Sequence, residues 1–152
     1  MRVFERILVP VDGSRHSLKA VCLAARLTKI HGAELKVFHV IDESVLHHLA
    51  RFCEKTREAL REDRRRTAQA FLNQMRCEAG AEIVDTSEVI VREGIPHEII
   101  LEEASVWNAD PIVMGKRGER GVGHILVGSV AERVIEFSEV PVLVVTEHEG
   151  EP

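Results

Sequence analysis

The chain has 152 residues, 45 % of them hydrophobic and 30 % charged, with a formal net charge of −5, the size and balance of one water-soluble domain around a single core. The negative charge opposes broad nucleic-acid binding, which depends on neutralising phosphates with a basic face, so no nucleic-acid partner is expected. No apolar run approaches the roughly 20 residues of a membrane span, and the opening MRVFERILVPVD has no uninterrupted apolar segment of the signal-peptide kind, so a cytoplasmic protein with no membrane attachment is expected.

Taken in chain order, RILVPV at Arg6 to Val11 is short and almost continuously apolar, as a strand covered on both faces should be. A helical pattern runs from Ser14, placed to cap it, to His31, with Gly32 placed to stop it. ELKVFHVI reads as the second strand. One long helix is expected from about Val45 to Ala79, closed by Gly80, with Leu49, Cys53, Thr56, Leu60, Thr67, Phe71 and Met75 as its stripe toward the sheet. Its other face carries Arg61 and Arg64 to Arg66, interleaved with Glu54, Glu58, Glu62 and Asp63, which reads as a salt-bridged solvated surface. SEVIV is the third strand, and Pro96 suits the first turn of a helix reaching Trp107, a residue expected in the core. PIVM is the fourth strand, shortened by Pro111 at its start. A last helix, Ser129 to Phe137, leads to PVLVV, the fifth strand, expected at a sheet edge. Strand and helix alternate throughout, which predicts one doubly wound, Rossmann-like α/β domain over residues 1–147. Its parallel sheet carries helices on both faces, and residues 148–152 follow as a polar tail.

Cys22, Cys53 and Cys77 are odd in number and lack CxxC spacing, so buried thiols are expected rather than disulfides or a zinc site. His47 and His48 are adjacent and diverge on a helix, which disfavours a metal site.

The segment GKRGERGVGHILVGS, Gly115 to Ser129, follows the fourth strand and enters the last helix, at the carboxyl edge of the sheet where open α/β folds bind ligands. Glycines let backbone N–H groups approach an anion, and the helix N-terminus adds open donors and a partial positive charge, so phosphate suits the segment. The Ser129 hydroxyl stands either to cap that helix or to donate to a phosphate oxygen. His124 lies within the loop without an evident orienting partner, and no catalytic role is expected of it. The spacing is neither GxGxxG after the first strand nor GxxxxGK[ST]. It reads Gly115, Lys116, Arg117, Gly118, nine residues, then Gly128 and Ser129.

That GxxG, nine residues, G[ST] pattern resembles the nucleotide-binding members of the universal stress protein family. The likeness extends through ILVPVDGS, HVID, EGIP, NADPIVMG and GSVAERVIEFSEVPVLVV, leaving only about Glu43 to Val84 without family motifs. It implies a five-stranded sheet of order 3-2-1-4-5 and an adenine-nucleotide site for ATP, or ADP or AMP, with magnesium. By the resemblance, Pro10, Val11 and Asp12 approach adenine and ribose, and Val40 walls the base. Met114, Gly115, Gly118, Gly128, Ser129 and Val130 complete the pocket. The Asp12 carboxylate either accepts from ribose hydroxyls, approaches a phosphate-bound Mg²⁺, or serves the DGS turn; no metal site formed by protein side chains alone is expected. Lys116 and Arg117 depart from the usual family residues after the first motif glycine and either attract phosphate or extend into solvent. The family further implies a homodimer through the last strand. The function expected is nucleotide-dependent regulation in a stress response and not catalysis. A slow ATP hydrolase or nucleotidyl transferase, and a nucleotide-independent dimeric scaffold, are the alternatives.

Overall fold

The first apolar run forms β1 (Arg6–Val11), and its alternating side chains supply both faces of the sheet. Ile7, Val9 and Val11 pack on one side and Leu8 on the other, all within a few per cent of complete burial. The structure is a computed structural model that describes residues 3–79, 88–116 and 127–146. Gly80, Gly118, His124, Arg117 and the tail at 148–152 lie outside the described residues.

The strands β1, β2 (Glu34–Asp42), β3 (Glu88–Gly94), β4 (Ile112–Gly115) and β5 (Val142–Val145) form one sheet, in the order β3-β2-β1-β4-β5, with every pair parallel. Parallel neighbours need crossovers, and the helices α1 (Arg15–His31), α2 (Glu43–Phe52), α3 (Arg57–Ala79), α4 (Pro96–Trp107) and α5 (Ser129–Phe137) make them. On one face Ala20, Val21 and Ala24 of α1, with Leu72 and Met75 of α3, cover Ile7, Val9, Val37 and Val113. On the other, Ile100 and Ala104 of α4 with Ala131 and Val134 of α5 cover Leu8, Phe38, Ile112 and Met114. Each large aliphatic side chain so buried contributes about 1.5–3 kcal/mol. Burial on both faces is why the central strands read as continuous apolar runs.

The helix ends follow their local chemistry. Ser14 caps α1, its hydroxyl accepting from Ser17 N–H at 3.1 Å, and Gly32 closes the same helix at φ 63°. Pro96 occupies the first turn of α4. Pro111 sits just before a four-residue β4, buried, and its carbonyl accepts from Leu8 N–H at 3.1 Å; the strand is short as expected.

The single long helix expected between Val45 and Ala79 is instead two. Asp42 starts α2 by accepting from Ser44 N–H at 2.9 Å, and the chain is extended at Cys53 (φ −122°, ψ 142°). Thr56 then caps α3, its hydroxyl accepting from Ala59 N–H at 3.2 Å. The break lets Leu46 of α2 and Leu60 of α3 bury together against Ile41. The stripe is corrected accordingly: Cys53, Thr56 and Thr67 are exposed, and Leu60, Ala68, Leu72 and Met75 are the buried positions among the described side chains of α3. The cysteine expectation also changes, since Cys53 is exposed and Cys22 half-buried, both as free thiols; the Cys77 side chain is outside what is described.

A charged cluster ties β2 to α4. Lys36 (6 % exposed) places Nζ 2.9 Å from Glu103 Oε1 (Glu103 8 % exposed) and 4.7 Å from the centre of the half-buried Trp107 ring. Arg92 of β3 reaches Glu103 and Glu102, each at 3.1 Å. The hydrogen bond to Glu102, joined by that to Glu103, pushes the Arg92 guanidinium above its ordinary pKa.

Candidate functional site

The turn leaving β1 opens the site. Gly13 adopts φ 92°, a left-handed conformation that strains residues with a Cβ, and Asp12 Oδ1 accepts from Ser14 N–H at 2.9 Å. The turn role considered for Asp12 is therefore real, and the same side chain is exposed and lines a cavity. That cavity encloses about 450 Å³ above the carboxyl ends of β1, β2 and β4, where the strand order reverses. This is the ligand position general to doubly wound sheets, and the volume suits a small molecule.

Nine of the ten site residues expected from the sequence line this one space. Pro10, Val11 and Asp12 come from the end of β1, Val40 from β2, Met114 and Gly115 from β4, and Gly128, Ser129 and Val130 from the start of α5. Only Gly118 falls outside the described residues. Residues not expected at the site from the sequence add to the wall. Val45, Pro96 and Ile100 extend its apolar side, and His39, Asp42 and Arg64 add polar groups.

His39 Nδ1 lies 2.7 Å from the Val11 carbonyl oxygen. A carbonyl only accepts, so Nδ1 carries the proton. Cross-strand register makes the contact, since His39 pairs with Val11. Ser14 and Ser17 also line the cavity, but their hydroxyls serve the first turn of α1: Ser14 accepts from Ser17 N–H and Ser17 donates to Ser14 O at 2.8 Å.

The two ends of the glycine-rich segment are pinned together. Gly128 N–H donates to Lys116 O at 2.9 Å, and Lys116 N–H donates to Val145 O at 2.7 Å. Gly128 is the N-cap of α5, at φ −69°, ψ 158°, and no side chain among the described residues caps the helix. Ser129 is the first helical residue, and among the described residues its hydroxyl makes no capping bond. With Gly128, Ser129, Val130 and Ala131 all at the cavity wall, the first-turn donors of α5 stand beside it.

Gly115 has a separate reason to be glycine. A Cβ there would fall 2.8 Å from the His16 carbonyl carbon, from His16 Cβ and from Ser17 N, so α1 packs directly on the end of β4. Gly115→Ala is expected to lower stability by about 1–3 kcal/mol through this overpacking. Urea unfolding checks it, and an unchanged midpoint would show that α1 yields freely.

Arg64 corrects the reading of the arginine face. Arg61 Nε pairs with Glu93 of β3 at 2.7 Å, Arg66 Nε with Glu62 at 3.7 Å, and Lys55 with Asp63 at 2.7 Å. These are the expected surface pairs, except that Arg61 looks across to the sheet. Arg64 is half-buried and turned to the cavity. His47 and His48 are exposed, and no cluster of three or more metal-ligating side chains occurs among the described residues. No described helix is long and apolar enough to cross a membrane.

Comparison with known proteins places this geometry in company. The sequence model of the universal stress protein family matches residues 4–146. The chain is 37 % identical over 145 residues to a universal stress protein of Thermus aquaticus, covering 94 % of this chain and 99 % of that one. It is 36 % identical over 143 residues to universal stress protein MJ0531 of Methanocaldococcus jannaschii, covering 94 % and 82 %. The solved structure of MJ0577, from the same organism, superposes with a TM-score of 0.82 at 30 % identity over 97 % of this chain and 99 % of that one.

Proposed function

Because the chain belongs to the universal stress protein family, we propose that its cavity is an adenine-nucleotide site, for ATP with magnesium or for ADP or AMP, and that the protein is a nucleotide-dependent regulatory module of a stress response. The observation that carries this reading is the α5 N-terminus, capped by no side chain among the described residues and set at the wall of a cavity of about 450 Å³. Open N–H donors and a partial positive charge suit a phosphate. Val40, Val45, Pro96 and Ile100 give the apolar surface that a flat base prefers, and the Asp12 carboxylate suits ribose hydroxyls or a nucleotide-bound magnesium. Those residues would hold the ligand, and the magnesium would offset phosphate charge.

Regulation is favoured over turnover by the state of the cavity's reactive groups. The Ser14 and Ser17 hydroxyls are engaged in the α1 cap, so neither is paired with His39 as nucleophile and base. Calorimetric titration of nucleotide-free protein with MgATP should give saturable binding. Absence of heat from folded protein would reject the reading, and efficient phosphate release would reject its regulatory form.

The protein is further proposed to act in the cytoplasm as a homodimer joined through β5. That strand stands at the sheet edge, and Val144 of β5 is exposed, as are Ile135 and Phe137 of α5. Open apolar edges are ordinarily paired or covered. Light scattering should return twice the 17.0 kDa chain mass, and a monomer would exclude the dimer.

A further inference from the structure

We propose that Arg64 is the cation that receives the ligand's phosphate from the α3 side of the cavity, so that the site selects polyphosphate-bearing ligands over neutral nucleosides. The inference rests on the nucleotide reading of the cavity and names what sets its selectivity.

Three observations converge on Arg64. It lines the same cavity as Asp12, Gly128 and Ser129, although it comes from a helix otherwise concerned with covering the sheet. It is half-buried rather than fully solvated, unlike the exposed Arg65 and Arg66 beside it. And among the described residues no hydrogen bond or ion pair engages it, whereas Arg61 has Glu93, Arg66 has Glu62 and Lys55 has Asp63; the adjacent Arg65 is equally unengaged but is exposed and does not line the cavity. The carboxylates at the cavity wall are turned to local donors, Asp12 to Ser14 N–H and Asp42 to the Ser44 N–H and hydroxyl.

The position on α3 explains the aim. Phe71, two turns further along, lies 3.9 Å from where a Cβ on Gly13 would stand, and its ring centre is 6.3 Å from that of His39. Residues seven apart share a helix flank, so Arg64 occupies the flank of Phe71 about 10 Å nearer the helix start, at the mouth above the β1 turn. Arginine's planar fork matches phosphate oxygens, and a partly desolvated guanidinium gains more from an anion than a solvated one does. The uncapped start of α5 supplies a second positive pole at the same cavity. Two positive poles around one space favour charge on the ligand, which adenosine lacks.

The alternative is that the Arg64 stem merely covers apolar surface. Titrating unaltered protein, Arg64→Ala and Arg64→Lys with MgATP, adenosine and inorganic tripolyphosphate separates the two, with thermal melts to check folding. Arg64→Ala should weaken MgATP and tripolyphosphate at least about tenfold while leaving adenosine unchanged. Arg64→Lys should recover part of the loss as a point charge. Equal MgATP affinity in Arg64→Ala and unaltered protein overturns the proposal, as does an equal loss for adenosine. If unaltered protein binds neither MgATP nor adenosine, the nucleotide reading falls. Tripolyphosphate binding that still depends on Arg64 would then uphold the anion role, and its absence would remove both.

Discussion

Glu103→Ala should lower the unfolding free energy by about 3–5 kcal/mol, a large part of what holds a domain of this size together. The carboxylate serves two cations, Lys36 Nζ at 2.9 Å and Arg92 at 3.1 Å, and both Lys36 and Glu103 are almost wholly removed from solvent. Deleting it takes from the Lys36 ammonium the buried carboxylate at 2.9 Å, while the Trp107 face and its other contacts at β2 remain. A cation over a ring gains only about 0.5–2 kcal/mol, too little to replace a buried carboxylate. Arg92 suffers less, because Glu102 remains beside it at 3.1 Å. The double substitution Lys36→Met with Glu103→Leu removes both charges at similar volume and should recover most of the loss or exceed it. Urea denaturation of the unaltered chain, Lys36→Met, Glu103→Leu and the double variant gives the coupling directly. A loss below about 1 kcal/mol in Glu103→Ala would mean that water reaches the pair and that it acts as a surface ion pair.

The same cluster marks where the sequence stops being legible. The strands could be read because burial on both faces writes itself as continuous apolar runs, and the start of the chain shows it: Arg6–Val11 forms the strand expected of it. Ser14, Gly32 and Pro96 could be read because caps and first turns are local chemistry. Lys36 could not, since a lysine in ELKVFHVI looks like an outward residue until α4 brings Glu103 and Trp107 over it. The α2–α3 break was hidden for a related reason. Cys53 and Thr56 fit a helical period, and only the joint burial of Leu46 and Leu60 against Ile41 decides for a turn capped by Thr56. A threonine before REAL was the available signal, outweighed by periodicity.

The candidate site divides along the same line. Its glycines and strand ends sit in contiguous motifs, and nine of them line the cavity. Val45 and Arg64 reach the cavity from α2 and α3, which carry no motif of their own, and Ile100 stands one turn beyond the EGIP motif that ends at Pro96. Arg64 in particular sits in a run of charges whose neighbours do form surface pairs, so composition alone gives no reason to separate it from them.

Gly128→Val should abolish MgATP binding, by at least about 100-fold, while the protein stays folded. The two halves of that expectation have different causes. Gly128 sits at φ −69°, ψ 158°, an extended conformation that valine adopts readily, and its N–H bond to Lys116 O and its carbonyl bond from Glu132 N–H involve only backbone. The fold therefore loses little beyond the poorer capping preference of valine over glycine, about 1 kcal/mol. Binding is another matter, because Gly128 lines the cavity at the start of α5 and a branched side chain there competes for the space next to the first-turn donors. Gly115→Ala is the contrasting case, with the larger strain on the fold because α1 backbone stands 2.8 Å away. The pair thus distinguishes a glycine required for close approach of a ligand from one required for close packing of a helix. Calorimetry with MgATP and urea unfolding on both variants decide it. If Gly128→Val binds as the unaltered chain does, the phosphate does not approach over Gly128, and the case for α5 as its seat is lost.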